Sequence, residues 1–183
     1  SDHPEIVNGY EGVLAAAEQD VPVYAYYVPN GSNYDVYLLT NDVVYAPADS
    51  TSLFEGMTAL ASVDVVNLDV SRVENMYSMF LNCQNLTTLD TSNWDTSKVT
   101  TLYAMFHLCV SLQEVKGIGT WDVSSVTNME QVFRNCRKLE YLDVKDWRPS
   151  SCTTFSSMFS DIDSNTGKMT LTTEQNVLVL VSV

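Results

Sequence analysis

Apolar positions in the middle of this chain return in blocks every 26 or 27 residues, with the same side chains in the same order. Val73, Met76, Met79, Phe80, Cys83, Leu86, Leu89 and Trp94 come back as Val99, Leu102, Met105, Phe106, Cys109, Leu112, Val115 and Trp121. They return again as Val126, Met129, Val132, Phe133, Cys136, Leu139, Leu142 and Trp147. A further start is made by Cys152, Phe155, Met158 and Phe159, and a worn earlier copy runs Leu53, Phe54, Met57, Leu60, Val63 and Leu68. A period of this length marks units too small to bury their own apolar face, which must stack on their neighbours. Function is then to be sought on repeated surfaces rather than in one deep pocket.

Within a repeat, Val73, Met76, Phe80 and Cys83 follow a spacing of three, four and three, which predicts one stripe of a short helix, widened by Met79. Ahead of these stripes stand Asp69-Val70-Ser71, Asp95-Thr96-Ser97 and Asp122-Val123-Ser124, whose side chains suit the unpaired amides of a helix start. Leu86 to Thr91 is short and rich in β-branched residues, which predicts one strand of a parallel ladder. Each coil is then strand, turn, helix, turn, and the expected fold class is an α/β solenoid of four to five coils. Gly117 and Gly119, in a copy that carries one extra residue, mark a bulged corner. Burying about six apolar side chains gives one repeat roughly 9–18 kcal/mol. Ordering its backbone at ~1–2 kcal/mol per residue cancels that gain, so a lone repeat does not fold.

The ends follow another pattern. Val21 to Val28 and Tyr34 to Thr40 flank the turn-rich Pro29 to Asn33 and predict a β-hairpin, with a short helix over residues 6–18 packed on it. Lys168 to Thr173 and Asn176 to Val183 read as closing strands. The organisation expected is an N-terminal cap over 1–43, the repeat array over 44–160, and closing strands over 161–183.

Composition narrows the function classes. Of 183 residues, 9 are Lys or Arg and 23 are Asp or Glu, so the net charge of −14 repels phosphate backbones and anionic lipid. Nucleic acid is not an expected partner. The chain has no run of about 18 apolar residues and no charged start followed by an apolar core. Membrane insertion within this chain is therefore not expected, and a start at Ser1 reads as a processed or excised piece. Cys83, Cys109 and Cys136 share one repeat position and Cys152 stands where a valine opens the other repeats. They read as buried free thiols, although coils roughly 5 Å apart would leave Cys83 and Cys109 within bridging reach.

The words Asn75-Met-Tyr-Ser-Met-Phe-Leu-Asn-Cys83, Asn128-Met-Glu-Gln-Val-Phe-Arg-Asn-Cys136, Leu89-Asp-Thr-Ser-Asn-Trp-Asp-Thr-Ser97 and Trp121-Asp-Val-Ser-Ser-Val-Thr-Asn128 resemble a known family. It is the bacterial surface protein 26-residue repeat, a leucine-rich-repeat relative grouped with the BspA-like surface proteins, and the match covers about residues 44 to 160. The lead-in Val44-Tyr-Ala-Pro-Ala-Asp-Ser50 resembles that of such arrays. The resemblance implies a short right-handed leucine-rich-repeat-like array on an extracellular, wall-attached bacterial protein that works in adhesion or recognition. It implies neither a ligand nor a catalytic set.

Alternation along the strands points Leu86, Leu89, Leu112, Val115, Leu139 and Leu142 inward. The outward positions are Thr88, Asp90, Glu114, Lys116, Tyr141, Asp143 and Lys145, which vary from copy to copy while the inward letters stay fixed. They are the candidate ligand-binding residues, with a host or bacterial surface protein or glycan as partner. Glu74, Tyr77, Tyr103, Glu130 and Gln131 on the opposite side read as plain helix surface. Asp69, Asp95 and Asp122 stack at one position, but capping accounts for them before calcium does. Asp161 to Gly167 opens like a calcium loop yet lacks the acidic twelfth residue, so neither a metal nor a cofactor is expected.

Catalysis is not expected either, with only His3 in the tail and His107 at a surface position available as histidine bases. Trp94, Trp121 and Trp147 fall in register as a packed corner column. Tyr24, Tyr26, Tyr27, Tyr34 and Tyr37 on the hairpin fit either a cap over the first coil or an interface. The alternatives to a recognition module are a passive spacer in a larger surface protein and a calcium-dependent surface module.

Overall fold

The computed structural model describes residues 12–14, 23–39, 43–162 and 170–172. The chain divides into two compact units, Ser1–Tyr45 and Ala46–Val183. Its strands are β1 (Gly12–Leu14), β2 (Val23–Asn30), β3 (Asn33–Leu39), β4 (Val44–Tyr45), β5 (Leu68–Asp69), β6 (Thr88–Asp90), β7 (Glu114–Lys116), β8 (Tyr141–Asp143) and β9 (Thr170–Thr172).

The first unit holds an antiparallel sheet in the order β1-β2-β3. β2 and β3 form the hairpin, closed by Gly31 and Ser32 between the paired Asn30 and Asn33, with Gly31 at φ 63°. The loop is shorter than the residue pattern suggests, because Pro29 lies inside β2 opposite Tyr34. That pair sits next to the hydrogen-bonded pair at the turn, so the proline nitrogen faces away from β3, and the pairing of β1 along β2 stops at Ala25, short of Pro29. The helix expected over residues 6–18 is not formed where the chain is described. Gly12–Leu14 is a strand paired with Val23–Ala25, and the rest of that segment lies outside the described residues.

In the second unit the repeat letters fold in register but not as expected. Asp49, Asn75, Thr101, Asn128 and Thr154 bridge one another in parallel, one per coil, and define five stacked coils. β6, β7, β8 and β9 form a parallel four-stranded sheet in chain order. Among the described residues there is no α-helix; the sole helical element is a 3-10 turn, Ile118–Thr120. The α/β solenoid with one helix per repeat, and with it the right-handed leucine-rich-repeat form, is therefore not this fold. What stands in its place is a stack of turns beside small parallel sheets.

The backbone bonding explains why a helical spacing failed to make a helix. Across Asn75 to Cys83, alternate amides close turns within the coil, as Met79 to Met76 and Leu81 to Ser78. The amides between them donate to the next coil: Met76 to Thr101, Ser78 to Tyr103, Phe80 to Met105 and Asn82 to His107, at 2.8–3.2 Å. An α-helix spends every amide on its own turn, whereas these coils spend half on a neighbour. Two residues per coil take positive φ to turn the chain: Ser78 and Asn82, Ala104 and Leu108, Gln131 and Asn135. For a non-glycine residue that conformation costs roughly 1–2 kcal/mol, offset by rungs and packing that exist only in the stack.

The core runs through the stack as columns. Phe54, Phe80, Phe106, Phe133 and Phe159 stack ring on ring at 4.8–5.9 Å. Trp94, Trp121 and Trp147 form a second column at 5.9 and 6.3 Å, with indole N–H groups of Trp121 and Trp147 donating to Thr91 Oγ1 and the Ile118 carbonyl one coil back. The three repeat cysteines are buried and free, as expected, whereas Cys152 is free but only half-buried. Each thiol donates at 3.1 Å to a phenylalanine carbonyl of the preceding coil: Cys83 to Phe54, Cys109 to Phe80, Cys136 to Phe106. Of the expected closing strands, Thr170–Thr172 is β9, paired with β8; Asn176 to Val183 lies outside the described residues.

Candidate functional site

The outward sheet row is built by three-residue strands whose central residues, Leu89, Val115 and Leu142, are buried in the core. The parallel register sets Thr88 beside Glu114 and Glu114 beside Tyr141, and Asp90 beside Lys116. Thr88, Asp90, Lys116, Tyr141 and Lys145 are exposed, and Glu114 and Asp143 are half-buried. Tyr141 is 43% exposed, enough to offer a ring to a partner. Six of the seven flank buried strand centres and so share one side of the sheet, Lys145 stands in the turn after β8, and Tyr141 is the aromatic among hydroxyl and charged groups.

Local bonding orders this row. Asp90 accepts from the Ser92 amide at 3.1 Å and its hydroxyl at 2.6 Å. Those bonds, with a smaller attraction from Lys116, hold its carboxyl below the ordinary range. Asp143 accepts from the Lys145 amide and pairs with its ammonium at 3.6 Å. Beside it runs the corner with the extra residue. Gly117, at φ 75°, lies so near Ser92 that a Cβ would fall 2.4 Å from its Cα, and a Cβ on Gly119 would sit 3.1 Å from the Asp143 carbonyl oxygen. The two glycines therefore let a 3-10 turn nest between neighbouring coils rather than form the expected bulge.

The stacked aspartates do not cap helices. Asp69, Asp95 and Asp122 each accept from the amide two residues on, Ser71, Ser97 and Ser124, at 2.8–3.0 Å, closing turns that lead into the buried valines. Hydrogen bonds from Ser97 and Ser124 hold the Asp95 and Asp122 carboxyls below their ordinary value. Among the described residues no group of three His, Cys, Asp or Glu side chains is placed to hold a metal ion. Asp161 pairs with Arg134 at 3.7 Å, and the loop after Ile162 lies outside the described residues.

The opposite side is more structured than its sequence suggests. Tyr77 and Tyr103 stack at 4.6 Å with planes 12° apart, and Ser156 donates to Glu130 at 3.2 Å one coil further on. Burial, then the neighbouring Tyr77 and Glu130, push the Tyr103 hydroxyl up. His107 is half-buried rather than a surface side chain, and burial and Arg134 lower its pKa. Two tyrosines one period apart were the signal for this pair. On the hairpin, Tyr26 and Tyr37 lie directly opposite one another, Tyr24 opposes Leu39, Tyr27 opposes Val36, and Tyr34 opposes Pro29.

Among the described residues no helix is long and apolar enough to cross a membrane. No curated protein and no solved structure matches this chain. The span that carries all five coils and β9, residues 48–173, matches the family described as Mycoplasma protein of unknown function, DUF285, and the chain belongs to that family.

Proposed function

We propose that this chain is a non-covalent recognition or adhesion module of an extracellular bacterial surface protein, related to the BspA-like arrays. Its partner is a host or neighbouring-cell protein or glycan, met by the outward sheet row of Thr88, Asp90, Glu114, Lys116, Tyr141, Asp143 and Lys145. The observation that carries the reading is the contrast between that row and the column behind it. The buried Leu89, Val115 and Leu142 stay small and apolar, while the aligned outward residues change from Thr88 to Glu114 to Tyr141 and from Asp90 to Lys116. A fixed frame with a changing display separates folding from specificity, and Tyr141 has the amphipathic ring that interfaces favour. The reading is that of a binding module rather than an enzyme.

A second reading, a passive spacer, draws on the local bonding of the row, since Asp90 and Asp143 already have partners in Ser92 and Lys145. The test is binding of the purified chain to host matrix proteins, glycans and bacterial cells, beside a variant with Glu114→Ala, Lys116→Ala, Tyr141→Ala and Asp143→Ala. Recognition predicts a saturable signal that the variant loses while still melting cooperatively. Equal signals from both would sink the assignment to this row, and silence from both would favour the spacer.

A further inference from the structure

Four rungs join each coil to the next, always at the same repeat positions. From the first coil, Ser50, Ser52, Phe54 and Gly56 donate to Asn75, Tyr77, Met79 and Leu81; from the fourth, Met129, Gln131, Phe133 and Asn135 donate to Thr154, Ser156, Met158 and Ser160. Along these four rungs the direction is constant, each coil giving amides to the following coil and receiving on its carbonyls from the preceding one, while the amides of Glu74, Thr100, Thr127 and Thr153 run the other way, to Ala48, Glu74, Thr100 and Thr127. At the fifth coil the corresponding donors, the amides of Phe155, Ser157, Phe159 and Asp161, have no acceptor among the described residues. At the first coil the corresponding acceptors, the carbonyls of Asp49, Thr51, Leu53 and Glu55, have no donor among the described residues. One edge offers four amides and the other four carbonyls, in the same register.

The apolar side chains end in the same unfinished way. Leu53 is 37% exposed although its column mates Met79, Met105 and Val132 are 0% exposed. Met57 is 47% exposed at the position where Cys83, Cys109 and Cys136 are 0% exposed, and Phe155 is 46% exposed where Met129 is 0% and Leu102 1%. Phe54 and Phe159 terminate the phenylalanine column, each stacked on one neighbour, Phe80 or Phe133. What buries these positions elsewhere in the molecule is another coil of the same register.

We infer that two copies of this chain join head to tail, the fifth coil of one docking on the first coil of the next. The amides of Phe155, Ser157, Phe159 and Asp161 donate to the carbonyls of Asp49, Thr51, Leu53 and Glu55 in the second copy, and Phe159 stacks on its Phe54. The step is one further strand spacing, about 4.7–4.9 Å. Such a contact is heterologous, with different surfaces on the two sides, so it leaves an open edge at each end and propagates into linear oligomers rather than closing as a symmetric dimer. The net charge of −14 opposes close approach, so added salt strengthens the association by screening. The inference stands apart from the recognition reading, because the edges and the outward sheet row are different surfaces.

Sedimentation velocity of the full chain over a wide concentration range tests it, with Leu53→Lys to block the acceptor edge and Phe155→Lys to block the donor edge. Both positions are already exposed, and both substitutions make the net charge less negative, so lost association cannot come from added repulsion. The expected result is concentration-dependent growth of the wild-type chain, enhanced by salt, and a monomer for each variant with an unchanged melting profile. An equimolar mixture of the two variants forms a dimer that grows no further, since each supplies the edge the other lacks. A wild-type chain that stays monomeric at every concentration overturns the inference. So does a variant that still associates, or a mixture that stays monomeric.

Discussion

The turn side of each coil is joined to the next by four backbone rungs at fixed positions, and the strand side by short parallel pairs of three residues or, between β7 and β8, one, and their side chains differ in kind as well. On the turn side, Met76, Met79, Phe80 and Cys83 point almost wholly into the core, and Ser78 is buried with them. On the strand side, Leu89 is buried between the exposed Thr88 and Asp90. A strand shows alternate residues to solvent, so half its positions are free to change without touching the core. The turn run has no such freedom, since its residues must both fill the columns and adopt positive φ at fixed places. Stability therefore concentrates on the turn side, and variation concentrates on the strand side.

The sharpest way to break this contrast is to empty one column. Phe106→Ala, between the rings of Phe80 and Phe133, is expected to cost about 3–5 kcal/mol, read as a lower urea midpoint. A cost no larger than that of Tyr141→Ala would overturn the division of labour. Next in size is Gly117→Ala, whose Cβ meets the Ser92 backbone at 2.4 Å. It is expected to lose about 3 kcal/mol through overpacking and the strained φ together, and an unchanged melting temperature would show that the corner yields.

The thiol column gives a pH test. Burial pushes Cys83 up to about 11 and Cys109 up to about 12, from an ordinary 9.0, and raises Cys136 well above it. A group whose folded pKa is raised stabilises the fold fully below its unfolded value. Its contribution is then lost as pH climbs from 9.0 toward 11 and 12. Unfolding titrations across that window should show stability falling with pH, less steeply in Cys109→Ala, which is expected to cost about 1 kcal/mol at neutral pH through the lost thiol bond. Parallel slopes in the two proteins would remove the thiols as the cause.

Two smaller effects separate turn from helix and frame from display. Gln131 sits at φ 61°, so Gln131→Gly should stabilise by about 0.5–1 kcal/mol, relief of the left-handed strain outweighing the added unfolded-state entropy. In a helix the same change would destabilise by roughly 1 kcal/mol, so the sign of the shift in melting temperature decides between the two. Tyr141→Ala, at an exposed outward position, should change stability by no more than about 0.5 kcal/mol. A larger loss would mean that the outward row belongs to the frame.

Much of this was legible in the letters. The repeat period placed all eight recurring apolar positions of three coils in the core, assigned the tryptophans to a packed column, and identified Cys83, Cys109 and Cys136 as buried thiols. The strand β6 fell inside the β-branched run Leu86 to Thr91. The helical spacing does not make a helix, for a physical reason. A spacing of three, four and three states which side chains share a side of the chain, and a run of turns satisfies it as well as an α-helix does. Leu108 and Ala104 carry no hint of positive φ, whereas Asn82, Asn135 and Gly56 at the same turn position do. The Tyr77–Tyr103 stack is written in the period, but on the outside of a helix the same two letters read as plain surface.

The sequence by itself determined which residues are core and at what interval, because a repeated apolar letter can be satisfied only by burial against its own copy. Backbone conformation was decided by the tertiary structure. Half of the amides on the turn side find their acceptors about one period away along the chain, and a bond of that range leaves no trace in local spacing. Whether a segment becomes helix or stacked turn depends on whether its neighbour is there to accept, and only the assembled stack supplies that neighbour.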